Sequence, residues 1–189
     1  MVIAACALWV SLQFSFNPAA MVASPCIATQ RPEVRKELKL SKEQIKVLDE
    51  VKKRFTEATQ AANKSMDFSA ISQAMREGDA RIWEALDDGQ DERLRGLILQ
   101  IKGPAAFGEE EFVKEYALTP EQVEKLDAIR TTCRDGYMNA ARKDQRKLKG
   151  ILETYEKDSL AVLTADQRAK YDRACGPKVK NLSMGLPPF

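Results

Sequence analysis

A five-residue pattern that occurs four times constrains the fold of this chain more than any other feature. Each copy has a leucine, then a residue suited to helix capping, and a glutamine four positions after the leucine. The copies are Leu40-Ser-Lys-Glu-Gln44, Leu86-Asp-Asp-Gly-Gln90, Leu118-Thr-Pro-Glu-Gln122 and Leu163-Thr-Ala-Asp-Gln167. Such recurrence at related spacings indicates internal repetition.

The spacings show which copies correspond. Leu40 and Leu118 are 78 positions apart, and Leu86 and Leu163 are 77 positions apart. The order is therefore A-B-A-B, which predicts a tandem duplication of a two-helix unit. Both B copies are followed by a Gly-Pro pair, at Gly103-Pro104 and Gly176-Pro177.

Each motif has the composition of a helix start. The second position holds a side-chain oxygen that can accept a hydrogen bond from a first-turn amide, as in Ser41, Asp87, Thr119 and Thr164. The glutamine three positions later can bond back to the backbone of that residue, which completes a capping box: Gln44, Gln90, Gln122 and Gln167. We therefore predict four helix starts, each cap contributing about 1 kcal/mol.

Apolar residues recur at helical spacing after these starts, as in Leu48, Val51 and Phe55, and no stretch alternates as a strand does. We predict an all-α protein of tandemly duplicated helical hairpins, with long amphipathic helices and no sheet. Gly78, Gly136 and Gly150 are expected to interrupt those helices. One hairpin cannot bury both of its faces, so the halves pack together or with another chain, which permits a homodimer.

The first thirty residues differ from the rest of the chain because they contain no Lys, Arg, Asp or Glu. Val2 to Phe16 is almost wholly apolar, and small residues follow it, which is typical of a secretory signal. We predict a signal peptide at 1–30, a first helical repeat unit at 31–108, a second at 109–180 and a tail at 181–189. An uncleaved segment would instead anchor the exported chain to a membrane.

The cysteines leave two alternatives open. Cys6 and Cys26 lie in the predicted signal, so Cys133 and Cys175 remain in the exported chain. These two could form a disulfide in an oxidising compartment. Cys133 shares an apolar helix face with Leu126, however, which favours a buried, unpaired thiol.

Composition argues against most catalytic and metal sites. The chain has no histidine, which removes the commonest general base and the commonest metal ligand. It also lacks a phosphate loop and a dinucleotide fingerprint. We predict no enzymatic activity, no cofactor and no metal site.

Charge and aromatic residues give no sign of a nucleic-acid partner. The net charge is only +2. We interpret the basic stretch from Arg142 to Lys149 as a solvated helix face, and the acidic run from Glu109 to Glu111 as a solvated turn. The large aromatic residues are expected in the core rather than on an exposed surface: Trp83, Phe107, Phe112 and Tyr116.

The motifs also carry a resemblance. Leu118-Thr-Pro-Glu-Gln122 and Leu163-Thr-Ala-Asp-Gln167 match a Leu-Thr-x-x-Gln signature, and Leu40-Ser-Lys-Glu-Gln44 nearly does. Over residues 32–174 the chain resembles the LTxxQ-motif proteins of bacterial envelopes, which include the Spy and CpxP type of periplasmic stress proteins. The resemblance implies a periplasmic, all-α, often dimeric protein that binds unfolded clients or a sensor-kinase partner.

Two departures from the family pattern qualify what the resemblance implies. The family chaperones carry two motifs, whereas this chain carries four in two units. The metal-responsive members use His-rich or Cys-rich ligands, and this chain has no histidine. The leading hypothesis is an exported binding protein that acts as a Spy-like chaperone without ATP. The alternatives are an interaction protein that docks on one envelope partner and, less favoured, a metal-linked stress sensor.

Overall fold

The computed structural model describes residues 23–180 and residue 182. These residues form helices and connecting turns without any strand, which confirms the predicted all-α class. The helices are α1 (Pro25–Ala28), α2 (Pro32–Leu38), α3 (Lys42–Ser65), α4 (Ser69–Ala85), α5 (Asp88–Lys102), α6 (Glu110–Glu115), α7 (Pro120–Lys143), α8 (Leu148–Val162) and α9 (Ala165–Cys175). Two 3₁₀ segments, Gly103–Gly108 and Gln145–Lys147, precede α6 and α8.

The order of elements repeats along the chain. A short lead-in helix, a long helix, a return helix and a closing helix form the first half (α2–α5) and again the second half (α6–α9). The long helices α3 and α7 each have 24 residues, and each packs along its return helix. This is the order that an A-B-A-B duplication produces.

The three glycines expected to interrupt helices do not, so that prediction was wrong. Gly78 lies inside α4, Gly136 inside α7 and Gly150 inside α8. A glycine within a helix costs about 1 kcal/mol relative to alanine, which tertiary packing easily outweighs. At Gly78 the missing side chain permits close packing, because a Cβ there would lie 2.7 Å from Cγ1 of Val51.

The actual interruption between the long and return helices of the second half is at Asp144, whose φ of −156° and ψ of 89° leave the helical region. The basic stretch 142–149 was predicted as one helix face, and it contains this break instead. The Asp144 side chain accepts a hydrogen bond from the backbone N–H of Arg146, which starts the 3₁₀ turn that follows.

Two hydrophobic cores fill the molecule. The first core consists of Ala23, Cys26, Ala28, Val34, Leu38, Leu48, Val51, Ile82, Leu94, Leu97, Ile101 and Leu182. The second core consists of Ala106, Phe107, Phe112, Tyr116, Leu118, Leu126, Leu163, Tyr171 and Cys175. Helix α5 serves both, since Leu97 packs in the first core and Leu99 packs against the second.

The two cores do not follow the predicted unit boundaries. Ala106 and Phe107 lie before residue 108 yet pack in the second core. Val179, at the end of the predicted second unit, and Leu182, in the predicted C-terminal tail, pack with the first core. The first core therefore includes a segment from beyond the closing helix of the second half, and α5 packs in both cores, so the halves interlock.

The described part of the predicted signal, residues 23–30, belongs to the first core; residues 1–22 lie outside the described residues. Ala28 is fully buried, and Ala106, which is 78 positions later, is 1% exposed. That spacing equals the one between Leu40 and Leu118. Ala23, Cys26 and Ala28 of the predicted signal are thus members of the first core.

Helices α5 and α9 meet at the junction between the halves. A Cβ at Gly96 would lie 2.7 Å from the carbonyl oxygen of Ala174 and 2.9 Å from that of Cys175. Gln100 Nε2 donates to the Cys175 carbonyl at 2.7 Å, and Arg93 donates to the same oxygen at 3.2 Å. Side chains of the first half thus supply hydrogen bonds to the last carbonyls of α9, which a helix leaves without partners.

We expect Gly96→Ala to lower the free energy of unfolding by about 1–3 kcal/mol, because backbone carbonyls cannot move aside for the added methyl group. Gly150→Ala is the matched control, since no atom lies within 4 Å of its Cβ position. The control should be neutral or stabilise by up to about 1 kcal/mol. Urea unfolding monitored by circular dichroism measures both, and equal stability of the two variants would refute the close approach.

Candidate functional site

All four sequence motifs form a capping box at the start of a helix. In the first, Ser41 Oγ accepts from the backbone N–H of Gln44 at 3.2 Å, and Gln44 Oε1 accepts from the backbone N–H of Ser41 at 2.8 Å. The other boxes join Asp87 with Gln90, Thr119 with Gln122 and Thr164 with Gln167. The motif leucines are core residues: Leu118 and Leu163 are buried in the second core, and Leu40 and Leu86 pack against the first.

The glutamines also pair with each other, which the sequence did not predict. Gln44 Nε2 donates to Gln90 Oε1 at 2.5 Å, and Gln90 Nε2 donates to Gln44 Oε1 at 3.1 Å. The second half repeats this between Gln122 and Gln167, at 2.7 and 3.2 Å. The A and B motifs of each half therefore meet in space.

Each glutamine pair also bonds to the ends of two other helices. The remaining amide hydrogens of Gln44 and Gln90 go to the carbonyls of Ala85 and Leu38, which end α4 and α2. Gln122 and Gln167 reach the equivalent carbonyls, at the ends of α8 and α6. With the capping bonds included, each side-chain amide uses both donors and both acceptor lone pairs. One pair thus joins two helix N-termini to two C-termini.

We expect Gln122→Glu to lower the free energy of unfolding at pH 7 by about 1–3 kcal/mol, because the hydrogen bonds donated to the Val162 carbonyl and to Gln167 Oε1, both partly buried, are lost. A glutamate at this position still completes a capping box, so capping alone predicts no loss. Gln60→Glu, on an exposed position of α3, controls for the added charge. Chemical denaturation compares the variants, and a neutral Gln122→Glu would show that the pairing contributes nothing.

A wide cleft lies between the two halves of the described chain. Its volume is about 1460 Å³, and it is open to solvent. Its surface is mainly apolar, with aromatic, methionine and aliphatic side chains from both halves: Phe55, Phe68, Ile71, Met75, Trp83, Ile98, Leu99, Phe112 and Tyr116. Phe68 is 52% exposed although it is apolar.

Basic side chains predominate on the first-half side of this cleft, where Asp79 is the acidic exception, and acidic side chains line the second-half side. Arg76, Arg95 and Lys102 come from α4 and α5 in the first half. The second half contributes Glu109, which precedes α6, together with Glu111 and Glu115, which lie in α6. Lys102 Nζ and Glu109 Oε2 form an ion pair at 2.7 Å across the two halves, and the Arg95 guanidinium lies 4.5 Å from the Trp83 ring centroid.

The four aromatic residues expected in the core divide into two groups. Phe107, Phe112 and Tyr116 are buried in the second core, as predicted. Phe112 and Tyr116 stack with ring centroids 3.9 Å apart, and both also contribute to the cleft. Trp83 is only partly buried, against the first core, and lies on the cleft.

Asp79 on α4 holds the N-terminal segment against the wall of the cleft. Its Oδ1 accepts from the backbone N–H of Cys26 at 2.7 Å. Partial burial raises the pKa of Asp79 to about 6, although hydrogen bonds from Cys26 and Ser24 act in the opposite direction. The Cys26 thiol is itself buried, and burial together with the Asp79 carboxylate raises its pKa to about 12.

Because the pKa of Asp79 is higher in the folded chain than the usual 3.8, its protonated form favours folding. The stabilisation is fully present below the unfolded pKa and is lost as the pH rises through about 6. We expect Asp79→Asn, which keeps the acceptor oxygen without the charge, to flatten the fall in stability across this window. Thermal unfolding of both proteins between pH 3.8 and about 6 tests this. Parallel profiles of melting temperature against pH would contradict it.

Cys26, Cys133 and Cys175 are buried and unpaired. This agrees with the sequence interpretation of Cys133 as a buried thiol, and Cys26 is part of the first core. Burial raises the pKa of both Cys133 and Cys175, so neither thiol has the thiolate character that reactive cysteines need.

Within residues 23–180 and 182 no group of three acidic or cysteine side chains could hold a metal ion. The acidic run is partly engaged in ion pairs, since Glu109 contacts Lys102 and Glu110 contacts Lys114. Among the helices of this described region, none combines the length and the apolar character needed to cross a membrane.

No protein-family model, curated protein or solved structure matches the chain.

Proposed function

We propose that this chain is an exported helical binding protein of the cell envelope that acts without ATP as a holdase-like chaperone. The observation that supports this most is the apolar cleft between the halves, where client segments would bind. A volume of about 1460 Å³ exceeds the roughly 300–1,000 Å³ of ordinary small-molecule sites. An open apolar surface of this size suits a polypeptide better than a metabolite.

The make-up of the cleft also fits a protein that holds clients and releases them. Methionine and aromatic side chains adapt to differently shaped apolar partners. The surrounding charges keep the protein soluble when the cleft is empty. The uncharged apolar stretch before residue 17 supports export, and the resemblance to LTxxQ-motif stress proteins points to the same compartment.

An aggregation assay tests the proposal. At stoichiometric amounts the protein should suppress light scattering by an aggregating client, without ATP and in an oxidising buffer. No suppression would end the chaperone proposal. A single specific species recovered by crosslinking in place of broad client binding would favour the alternative, an interaction protein with one envelope partner.

A matched pair of surface variants tests whether the cleft is the binding surface. We expect Phe68→Ser to weaken suppression several-fold, because it removes an exposed apolar side chain of the cleft. Phe68 lies at the N-terminal end of α4, is half exposed and is not a member of either core, so the fold should change little. Met138→Ser, at a residue that is 48% exposed on α7 and not part of the cleft, should keep full activity.

A further inference from the structure

The cleft offers little to the backbone of a bound chain. The elements that line it are helices and helical turns, which use their own backbone hydrogen bonds, and no strand edge exists within residues 23–180. An extended peptide against the apolar wall would lose water from its N–H and C=O groups without gaining partners. A helix satisfies these groups internally, so an apolar groove of this kind selects helical segments.

The size of the cleft fits a short helix. A helix has a diameter of about 10 Å with side chains and rises about 1.5 Å per residue. A volume of about 1460 Å³ then corresponds to roughly a dozen residues, or about three turns. Such a helix is marginal by itself in water, so binding would stabilise it.

The charges on the two sides of the cleft specify the flanks of that helix. Arg76 on the first-half side and Glu111 on the second-half side are both exposed. Neither forms an ion pair with any other described residue, in contrast to Lys102 and Glu109, which neutralise each other. One side of the cleft therefore attracts an acidic flank and the other a basic flank.

We propose that the preferred occupant of the cleft is an amphipathic α-helix of about three turns, with its apolar face against Phe68, Met75 and Trp83, an acidic flank along Arg76 and a basic flank along Glu111. The proposal rests on the proposed function, because it names the class of client that the same cleft prefers. A segment of this kind exposes its apolar face only while its own protein is unfolded or unassembled.

Labelled synthetic peptides that share the same apolar face test the proposal, and their binding to the full-length protein is measured. One peptide carries one acidic and one basic flank, a second has two acidic flanks, a third has two basic flanks, and a fourth has a central proline in the mixed-flank sequence. We expect the mixed-flank peptide to bind about threefold or more tighter than either uniform peptide at low salt. It should gain helical circular dichroism on binding, and the proline peptide should bind at least about tenfold more weakly.

Charge reversal in the protein gives the sharper test. Arg76→Glu and Glu111→Lys should each weaken mixed-flank binding, whereas the double variant should recover it, because the helix can then bind in the opposite direction. Arg54→Glu and Glu57→Lys, exposed on α3 and not part of the cleft, should leave affinity unchanged.

The results separate the two proposals. If clients are protected from aggregation but the peptides bind regardless of flank charge, or the proline peptide binds equally well, the helix proposal is overturned and the chaperone proposal stands. If the peptides bind as expected but aggregation continues, the cleft is a docking site for one helix and the chaperone proposal fails. Absence of both activities overturns both proposals.

Discussion

The first half of this molecule does not complete its core with its own residues, and the rest of the structure depends on this. The first core receives Val179 and Leu182 from beyond α9, and α5 contributes Leu97 to the first core and packs Leu99 against the second. Burying a large apolar side chain stabilises a fold by about 1.5–3 kcal/mol, so losing the segment beyond α9 would remove a substantial share of a marginal stability. These shared contacts therefore fix the halves relative to each other.

The cleft follows from that fixed arrangement. Its walls belong to different halves, and the close contact at Gly96 together with the ion pair of Lys102 and Glu109 sets their separation at one end. An apolar surface of this size would collapse if the walls could approach each other, because burial of apolar area favours closure. Packing of α5 between the two cores holds the walls apart and keeps the surface open.

The sequence predicted what depends on near neighbours and missed what depends on distant ones. The capping boxes involve residues three positions apart, so the pattern around Ser41 and Thr119 was enough to place them. The pairing of Gln44 with Gln90 joins residues 46 positions apart and follows only from the packed hairpin. The sequence predicts a break at Gly78 because the cost of glycine in a helix is a property of the residue itself. The close packing of Val51 against Gly78 depends on the fold and cannot be seen in the sequence. The packing of Ala23, Cys26 and Ala28 in the first core was not predictable, because burial in a core and passage into a membrane select the same uncharged residues. The cleft draws on five or more elements without a contiguous motif.

Equilibrium unfolding followed separately in each half tests the interlocked arrangement most directly. Within the sequence, Trp83 is the sole tryptophan besides Trp9, and all four tyrosines lie in the second half: Tyr116, Tyr137, Tyr155 and Tyr171. In a Trp9→Phe protein, Trp83 fluorescence reports the first half and tyrosine near-UV circular dichroism reports the second. Shared cores predict coincident transitions with one midpoint in denaturant. Two separate midpoints would show that the halves fold independently and would contradict the account.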